Sequence, residues 1–290
     1  MTDRLLAAGR AACERRGYEV TAPGRPWLPP RLAAPTTDVT PFVPRATTSR
    51  VAIEPLAPDE ATPTMLVSRL RNNRGNDRFS LFVVEDEAAA RRIRALLHDP
   101  PLVAAEDGQG RRTFYNGPDR IALAGGGYAA VRTDSDPADL VWREDGDGDE
   151  RSLLLVDAGR TDATRARRGE VDRNAGGTVV AHLDGVDGLN CPEPAAFPYS
   201  YVRDPDDKRF RVRTPANGGR TVGIYDGVAA MRANAYRPVP MPLVPEHVFD
   251  GVSSVRDEWA VLVVGDANAP GNPRPEGSET LVTADGVTRQ

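Results

Sequence analysis

Apolar residues recur along the chain in two rhythms, first strand alternating with helix and then short strands between turns, and the change between them predicts the architecture. Residues 50 to 105 carry the first rhythm. An apolar strand spans Arg50 to Glu54. A helix follows from about Pro63 to Arg74, with Thr62 placed to cap it and Pro63 in its first turn. Leu66 and Leu70 give this helix its buried stripe, and Gly75 ends it. Phe79 to Val84 is apolar at both parities, the pattern of a strand covered on both faces. The next helix runs from Asp86 to His98. Asp86 caps it, Glu85 and Glu87 suit the positive end of its dipole, and Ala89, Ile93, Leu96 and Leu97 recur at helical spacing until Asp99 and Pro100 stop it. Leu102 to Ala105 reads as a third strand. The alternation implies a small parallel βαβαβ unit with right-handed crossovers.

After Glu106 the second rhythm takes over. Asp107-Gly108-Gln109-Gly110 and Asn116-Gly117 are turn sequences, and short runs such as Thr113 to Tyr115 and Tyr128 to Arg132 lie among them. Further apolar runs occur at Ser152 to Val156, Thr178 to Leu183, Phe210 to Val212, Thr221 to Tyr225 and Trp259 to Val264. Ahead of both rhythms, Asp3 to Arg16 forms an amphipathic helix that meets Gly17 at a left-handed cap. The seven prolines between Ala22 and Pro44 then predict an extended, ordered arm. The fold class is therefore α+β: a small parallel βαβαβ unit extended by antiparallel strands and followed by a β-rich second unit. The expected divisions are a helix and Pro-rich arm over 1–47, the α/β unit over 48–143, an acidic linker or loop over 144–150, the β-rich unit over 151–264, and a polar tail over 265–290. In that tail Thr280 to Thr288 can close a hairpin around Asp285-Gly286.

Composition narrows the setting more than the activity. No apolar run approaches the roughly 20 residues of a bilayer span, and Gly9 and Arg10 interrupt the first apolar stretch before a signal sequence can form, so a cytoplasmic protein with no membrane partner is expected. Cys13 and Cys191, the only cysteines, cannot build a disulfide framework. Of 37 basic residues only Lys208 is lysine, and aspartate outnumbers glutamate 27 to 15. This composition resembles that of halophilic proteins, and a GC-rich genome explains the arginine equally well. Arginine fills nearly every basic position, so clusters such as Arg91, Arg92 and Arg94, or Arg165, Arg167 and Arg168, are weak evidence for nucleic acid.

The candidate chemistry follows from the strand ends. If the three parallel strands end at Glu54, at Glu85 and Asp86, and at Glu106 and Asp107, their carboxylates converge where open α/β sheets bind ligands, and they suit a hard cation such as Mg²⁺. In that reading Glu54, Asp86 and Glu106 hold the metal, and Arg50 or Arg78 neutralises a phosphate. The arrangement is similar to the acidic pockets of response-regulator receivers and of topoisomerase-primase type nuclease domains, although the receiver's lysine strand and the nuclease Asp-x-Asp have no counterpart here. The alternative explains each acid locally, as helix cap, turn residue or strand end. His182, Asp184 and Cys191, with His247, are a second candidate ligand set, for zinc, at a spacing that fits no common motif. Gly125-Gly126-Gly127 precedes a strand instead of the helix that a dinucleotide site needs. Asp145, Asp147 and Asp149 lack the glycine and glutamate of a calcium loop, and Asp206-Asp207-Lys208 makes a turn into the next strand.

No motif survives its context, so the leading expectation is a non-catalytic binding or scaffold protein with a protein partner and no cofactor. Trp27, Phe42, Tyr199, Tyr201 and Tyr236 either staple loops to the core or anchor that partner. The alternative is a Mg²⁺-dependent phosphoesterase or nuclease on the strand-end carboxylates. A nucleic-acid-associated regulatory protein is the second alternative.

Overall fold

The computed structural model describes residues 2–24, 29–43, 50–98, 100–146, 150–160, 177–215, 218–244, 254–265 and 279–289. Trp27, Asp99, Asp147, Asp149, Arg165, Arg167, Arg168 and His247, named above, lie outside the described residues. The chain is an α+β protein of two units. Unit 1 is Met1–Leu102 with Gly251–Gln290, and unit 2, Val103–Asp250, is inserted between these segments in sequence.

Unit 1 opens with α1 (Thr2–Arg15), which ends at Gly17. This glycine has φ +82°, and a Cβ there would meet the Asp38 carbonyl oxygen at 2.7 Å, so both conformation and space demand glycine. The antiparallel strands β1 (Tyr18–Thr21) and β2 (Arg31–Pro35) follow, and β2 pairs with β3 (Arg50–Pro55). Part of the expected Pro-rich arm is thus a strand of the sheet. Burial explains why. Phe42 packs between the rings of Tyr18 and Phe79, with centroids 6.0 and 6.2 Å away, and ties the segment to the core. Next, α2 (Pro63–Arg74) begins where the Thr62 hydroxyl accepts from the Met65 N–H at 3.3 Å. After β4 (Arg78–Val84) comes α3 (Glu87–Leu97), capped by Asp86, which accepts from the Ala89 N–H at 2.8 Å.

Unit 2 contains only antiparallel strand pairs among the described residues. In chain order they are β5 (Val103–Glu106), β6 (Arg112–Phe114), β7 (Asn116–Arg120), β8 (Tyr128–Arg132), β9 (Leu140–Asp145), β10 (Ser152–Asp157) and β11 (Thr178–Leu183). Then come β12 (Tyr199–Arg203), β13 (Phe210–Thr214), β14 (Arg220–Tyr225), helix α4 (Val228–Ala233), β15 (Tyr236–Pro238) and β16 (Pro240–Pro242). They form a sheet of order β11-β10-β9-β6-β5, a second of order β14-β13-β12-β8-β15, and the pair β16-β7. Phe114, Trp142, Leu153 and Leu155 from the first sheet share one core with Ala129 and Val131 from the second. Helix α4 covers the other face of the second sheet, where Met231 meets Tyr201, Val212 and Tyr236. Of the expected acidic linker or loop at 144–150, Glu144 and Asp145 are the end of β9. Asp145 pairs with Ser152, so β9 and β10 are one hairpin, and Gly146 (φ +83°) opens its turn.

The chain returns to unit 1 with β17 (Trp259–Val263), β18 (Thr280–Thr283) and β19 (Gly286–Arg289), completing a sheet of order β1-β2-β3-β4-β17-β18-β19. As its double-sided apolar run requires, β4 lies between two parallel partners. The second partner is β17, however, and not residues 102–105, which form β5 in unit 2. Trp259 to Val263 is fully buried, as the middle of a covered sheet demands, whereas β5 buries only Val103. The hairpin around Asp285-Gly286 is present and joins this sheet, so the expected tail is in part a sheet edge. Alternate residues divide the core. Val51, Ile53, Phe79, Leu81 and Val83 meet Leu5, Ala12 and Cys13 of α1, and the opposite parity of β3 and β4 faces α2. Ile93 and Leu97 of α3 are buried, and α3 packs on β17, β18 and β4. No helix among the described residues is long and apolar enough to cross a membrane.

Candidate functional site

The helix stripe that begins Leu66 and Leu70 continues at Asn73, with Arg69 beside it, and this spacing carries two polar side chains into the interface between α2 and the sheet. There Asn73, fully buried, donates through Nδ2 to Glu54 Oε1 at 3.1 Å and to Ser80 Oγ at 3.0 Å. Arg69 Nη1 donates to Glu54 Oε2 at 3.2 Å. Both carboxylate oxygens of Glu54 are therefore occupied. Burial pushes its carboxyl above the ordinary glutamate value, opposed by Asn73, Arg69 and Arg78. Glu258, pushed up in the same way by burial, is opposed by Arg74 at 3.3 Å. Four buried atoms here, Asn73 Oδ1, Arg78 Nη1, Glu258 Oε2 and Trp259 Nε1, have no hydrogen-bond partner among the described residues. Nothing in the helical period distinguished this polar seam from a core stripe except Asn73 itself.

The other nominated carboxylates are also engaged or lie elsewhere. Asp86 is the cap of α3, and Glu85 pairs with Arg4. Glu106 ends β5 and so does not terminate a strand of the parallel sheet. The convergence expected for Glu54, Asp86 and Glu106 depended on that third strand. Asp107 closes a turn, accepting from the N–H groups of Gln109 (2.9 Å) and Arg111 (3.0 Å), and these bonds hold its carboxyl below the usual aspartate value. Among the described residues no group of three or more His, Cys, Asp and Glu side chains could hold a metal ion.

Unit 2 has a cleft of about 170 Å³ that includes Glu106, Arg111, Arg112, Arg143, Glu144 and Asp145. Its charges close on one another. Arg112 grips Glu144 through two nitrogens at 2.5 and 2.7 Å, Arg151 reaches Glu144 at 3.4 Å, and Arg111 reaches Asp107 at 2.9 Å and Asp145 at 3.9 Å. Thr113 is the cleft's one hydroxyl, and neither histidine nor cysteine lines it. Cys13, in unit 1, is buried, and burial pushes its thiol up to about 12. The glycine string precedes β8 as expected: Gly125, Gly126 and Gly127 all have positive φ, and a Cβ on Gly127 would strike the Tyr201 carbonyl oxygen at 2.7 Å. Asp207 is held by both terminal nitrogens of Arg211, at 3.0 and 2.9 Å, in the turn before β13. Tyr199, Tyr201 and Tyr236 lie in strands and pack in the core under α4, Tyr199 edge-on to Tyr236 and Tyr201 tilted against Phe210.

What is left unexplained by packing is the far side of the second sheet of unit 2. Ala129 and Ser200 are paired, and this face continues through Val202, Arg211 and Ile224, which are successive partners across β12, β13 and β14. At β8 the face is core. At β14 it is open, with Ile224 46 % exposed and neighbouring Val222 41 % exposed. Between Arg220 and Asp226 the strand carries no charge, and its outer edge has no strand partner among the described residues. The register shifts between Val212 and Arg213, so Val222 is an extra residue between Thr221 and Gly223 in mid-strand, and the pairing of Phe210 to Val212 with Gly223 to Tyr225 is regular. The sequence showed β14 only as one more apolar run, because an edge strand and a covered strand differ in neighbours and not in composition. Comparison with protein-family models, with curated proteins and with solved structures finds no match to this chain.

Proposed function

We propose that the chain is a non-catalytic binding protein that takes an extended segment of a partner protein on the open edge of β14. The observation that carries this reading is the edge strand Arg220–Tyr225, uncharged after its first residue, with two large aliphatic side chains in solvent. An exposed edge presents a row of unpaired N–H and C=O groups, and strand addition there supplies main-chain hydrogen bonds while the side chains supply selectivity. Of the other edge strands, β11 (Thr178–Leu183) is as long but exposes no large apolar side chain, and β19 exposes only Val287. The reading needs no cofactor. It is tested by recovering the protein at native ionic strength and measuring the mass of what it brings. A stoichiometric protein assembly, lost in Ile224→Lys, is expected. A bare 31.3 kDa chain for wild type and variant alike overturns it.

A further inference from the structure

Five of the chain's seven tyrosines, Tyr128, Tyr199, Tyr201, Tyr225 and Tyr236, lie on strands of the second sheet of unit 2. Tyr201 pairs with Tyr128, Tyr199 with Ala130, Tyr236 with Arg132, and Phe210 with both Arg203 and Tyr225, so alternation puts all five on the face that α4 covers. Helix α4 is only six residues long and leaves Tyr128 45 % exposed. One side of that ring is taken by Tyr201, stacked at a centroid distance of 5.5 Å, so the other side is open. The three residues before Tyr128 are glycines, which have no side chain to lay over it, and Gly125 and Gly126 have nothing within 4 Å of where a Cβ would stand. Burial pushes the Tyr201 hydroxyl above the ordinary tyrosine value, and the charges that oppose it are Arg120 and Arg232. Arg203 lies two residues along β12 from Tyr201, on the same face. Elsewhere in unit 2 arginines close on acids, as Arg112 does on Glu144 and Arg211 on Asp207. Among the described residues none of Arg120, Arg203 and Arg232 pairs with a carboxylate, and Arg120 and Arg203 donate to backbone carbonyls.

We propose that this face binds single-stranded nucleic acid, with a base stacked on the open side of Tyr128 and phosphates on Arg120, Arg203 and Arg232. An open aromatic ring with uncompensated guanidinium groups near it matches a ligand that alternates planar groups with negative charge. An acidic polypeptide supplies the charge without the planar group, and a duplex keeps the faces of its bases in its own stack. The chain's net charge of -5 works against unspecific attraction of a polyanion, so binding needs a local site. Ile224 is on the opposite face of the sheet, and the inference is independent of the β14 edge.

Titration of the full chain into fluorescently labelled oligo(dT), oligo(rU) and a mixed-sequence duplex, read by anisotropy over a range of salt, is the test. Wild type should bind single strands more tightly than the duplex. The logarithm of its affinity should fall against the logarithm of salt concentration with a slope of about -2, roughly -0.7 for each of three phosphate contacts. Either single strand bound in this way supports the inference, and the tighter of the two identifies the sugar. Tyr128→Ala should weaken binding about tenfold with an unchanged circular dichroism spectrum, whereas Tyr128→Phe, which keeps the ring, should bind as wild type does. Arg120→Gln, Arg203→Gln and Arg232→Gln should each flatten the slope by about 0.7. Absence of binding at low salt, a Tyr128→Ala variant equal to wild type, or a duplex bound as tightly as a single strand overturns the inference. Polyglutamate that displaces the oligonucleotides at equal charge concentration overturns it too, and gives the arginines to an acidic polypeptide.

Discussion

Truncating Asn73 to alanine isolates the seam beneath α2. Its Nδ2 serves a buried carboxylate and a hydroxyl, at 3.1 and 3.0 Å, and the residue is wholly inaccessible. A hydrogen bond to a charged group is worth about 1.5–3 kcal/mol, and one to a neutral group about 1 kcal/mol. Against this, Oδ1 is buried with no partner, and removing it relieves a desolvation cost of about 1–3 kcal/mol. The difference leaves a loss of about 1 kcal/mol, confined to unit 1. Asn73→Asp should be worse at neutral pH, because it replaces the donor by a carboxylate facing Glu54, and should recover part of the loss in acid. Since a chain of two units need not unfold in one step, the measurement is native-state hydrogen exchange. The amides of β3 and β4 should lose protection while those of β10 in unit 2 do not. Unchanged β3 and β4 amides in the alanine variant, or an aspartate variant as stable as alanine at pH 7, would refute the reasoning.

Three further outcomes are expected. Ile93→Ala should cost unit 1 about 2–5 kcal/mol as a fully buried aliphatic, and exposed Arg92→Ala only a few tenths, so equal melting temperatures would contradict the packing of α3. Arg112→Ala removes the guanidinium that grips Glu144 through two nitrogens, leaving this buried carboxylate Arg151 at 3.4 Å, and should destabilise unit 2 by about 3 kcal/mol in urea titrations. Glu54 has a raised carboxyl value, so its contribution to stability is complete below the unfolded-state value and is lost as pH rises through the folded-state value. Glu54→Gln, which stays neutral, should therefore gain on wild type between acid and neutral pH. A variant that loses ground over that range would mean that Arg69 and Asn73 outweigh burial.

Where local rules decide, the sequence was readable. Thr62 and Asp86 cap their helices, and the double parity of Phe79 to Val84 demanded two parallel neighbours. It could not reveal which neighbour. Leu102 to Ala105 follows α3 directly and satisfies the same crossover rule as Trp259 to Val263, and only burial of all five residues of the later strand separates them. An insertion between α3 and β17 breaks the assumption that sequential strands are neighbours. That assumption also carried Glu106 to the wrong sheet. The polar seam was hidden for a different reason. Glu54 and Asn73 lie 19 residues apart and become partners only when α2 docks on the sheet.

The choice of arginine over lysine connects the seam, the cleft and the edge. A guanidinium offers five donors in a planar fork, so it can close a carboxylate through two bonds and tolerate partial burial, as Arg112 does with Glu144 and Arg211 with Asp207. Other arginines also turn to the chain's own groups: Arg91 lies 3.6 Å from Glu87, and Arg94 donates to the Ala284 carbonyl. Arginine clusters in such a chain therefore report on its own acids before they report on an external phosphate. The same economy leaves a cost at the sheet edges. Proteins commonly guard a long edge with lysine, whose compact charge resists burial against another strand, and the single lysine here, Lys208, sits in the turn before β13 with its ammonium on the Pro205 carbonyl. Strand β14 carries no lysine: its one charge is Arg220 at its start, and it is interrupted instead by the register shift at Val222.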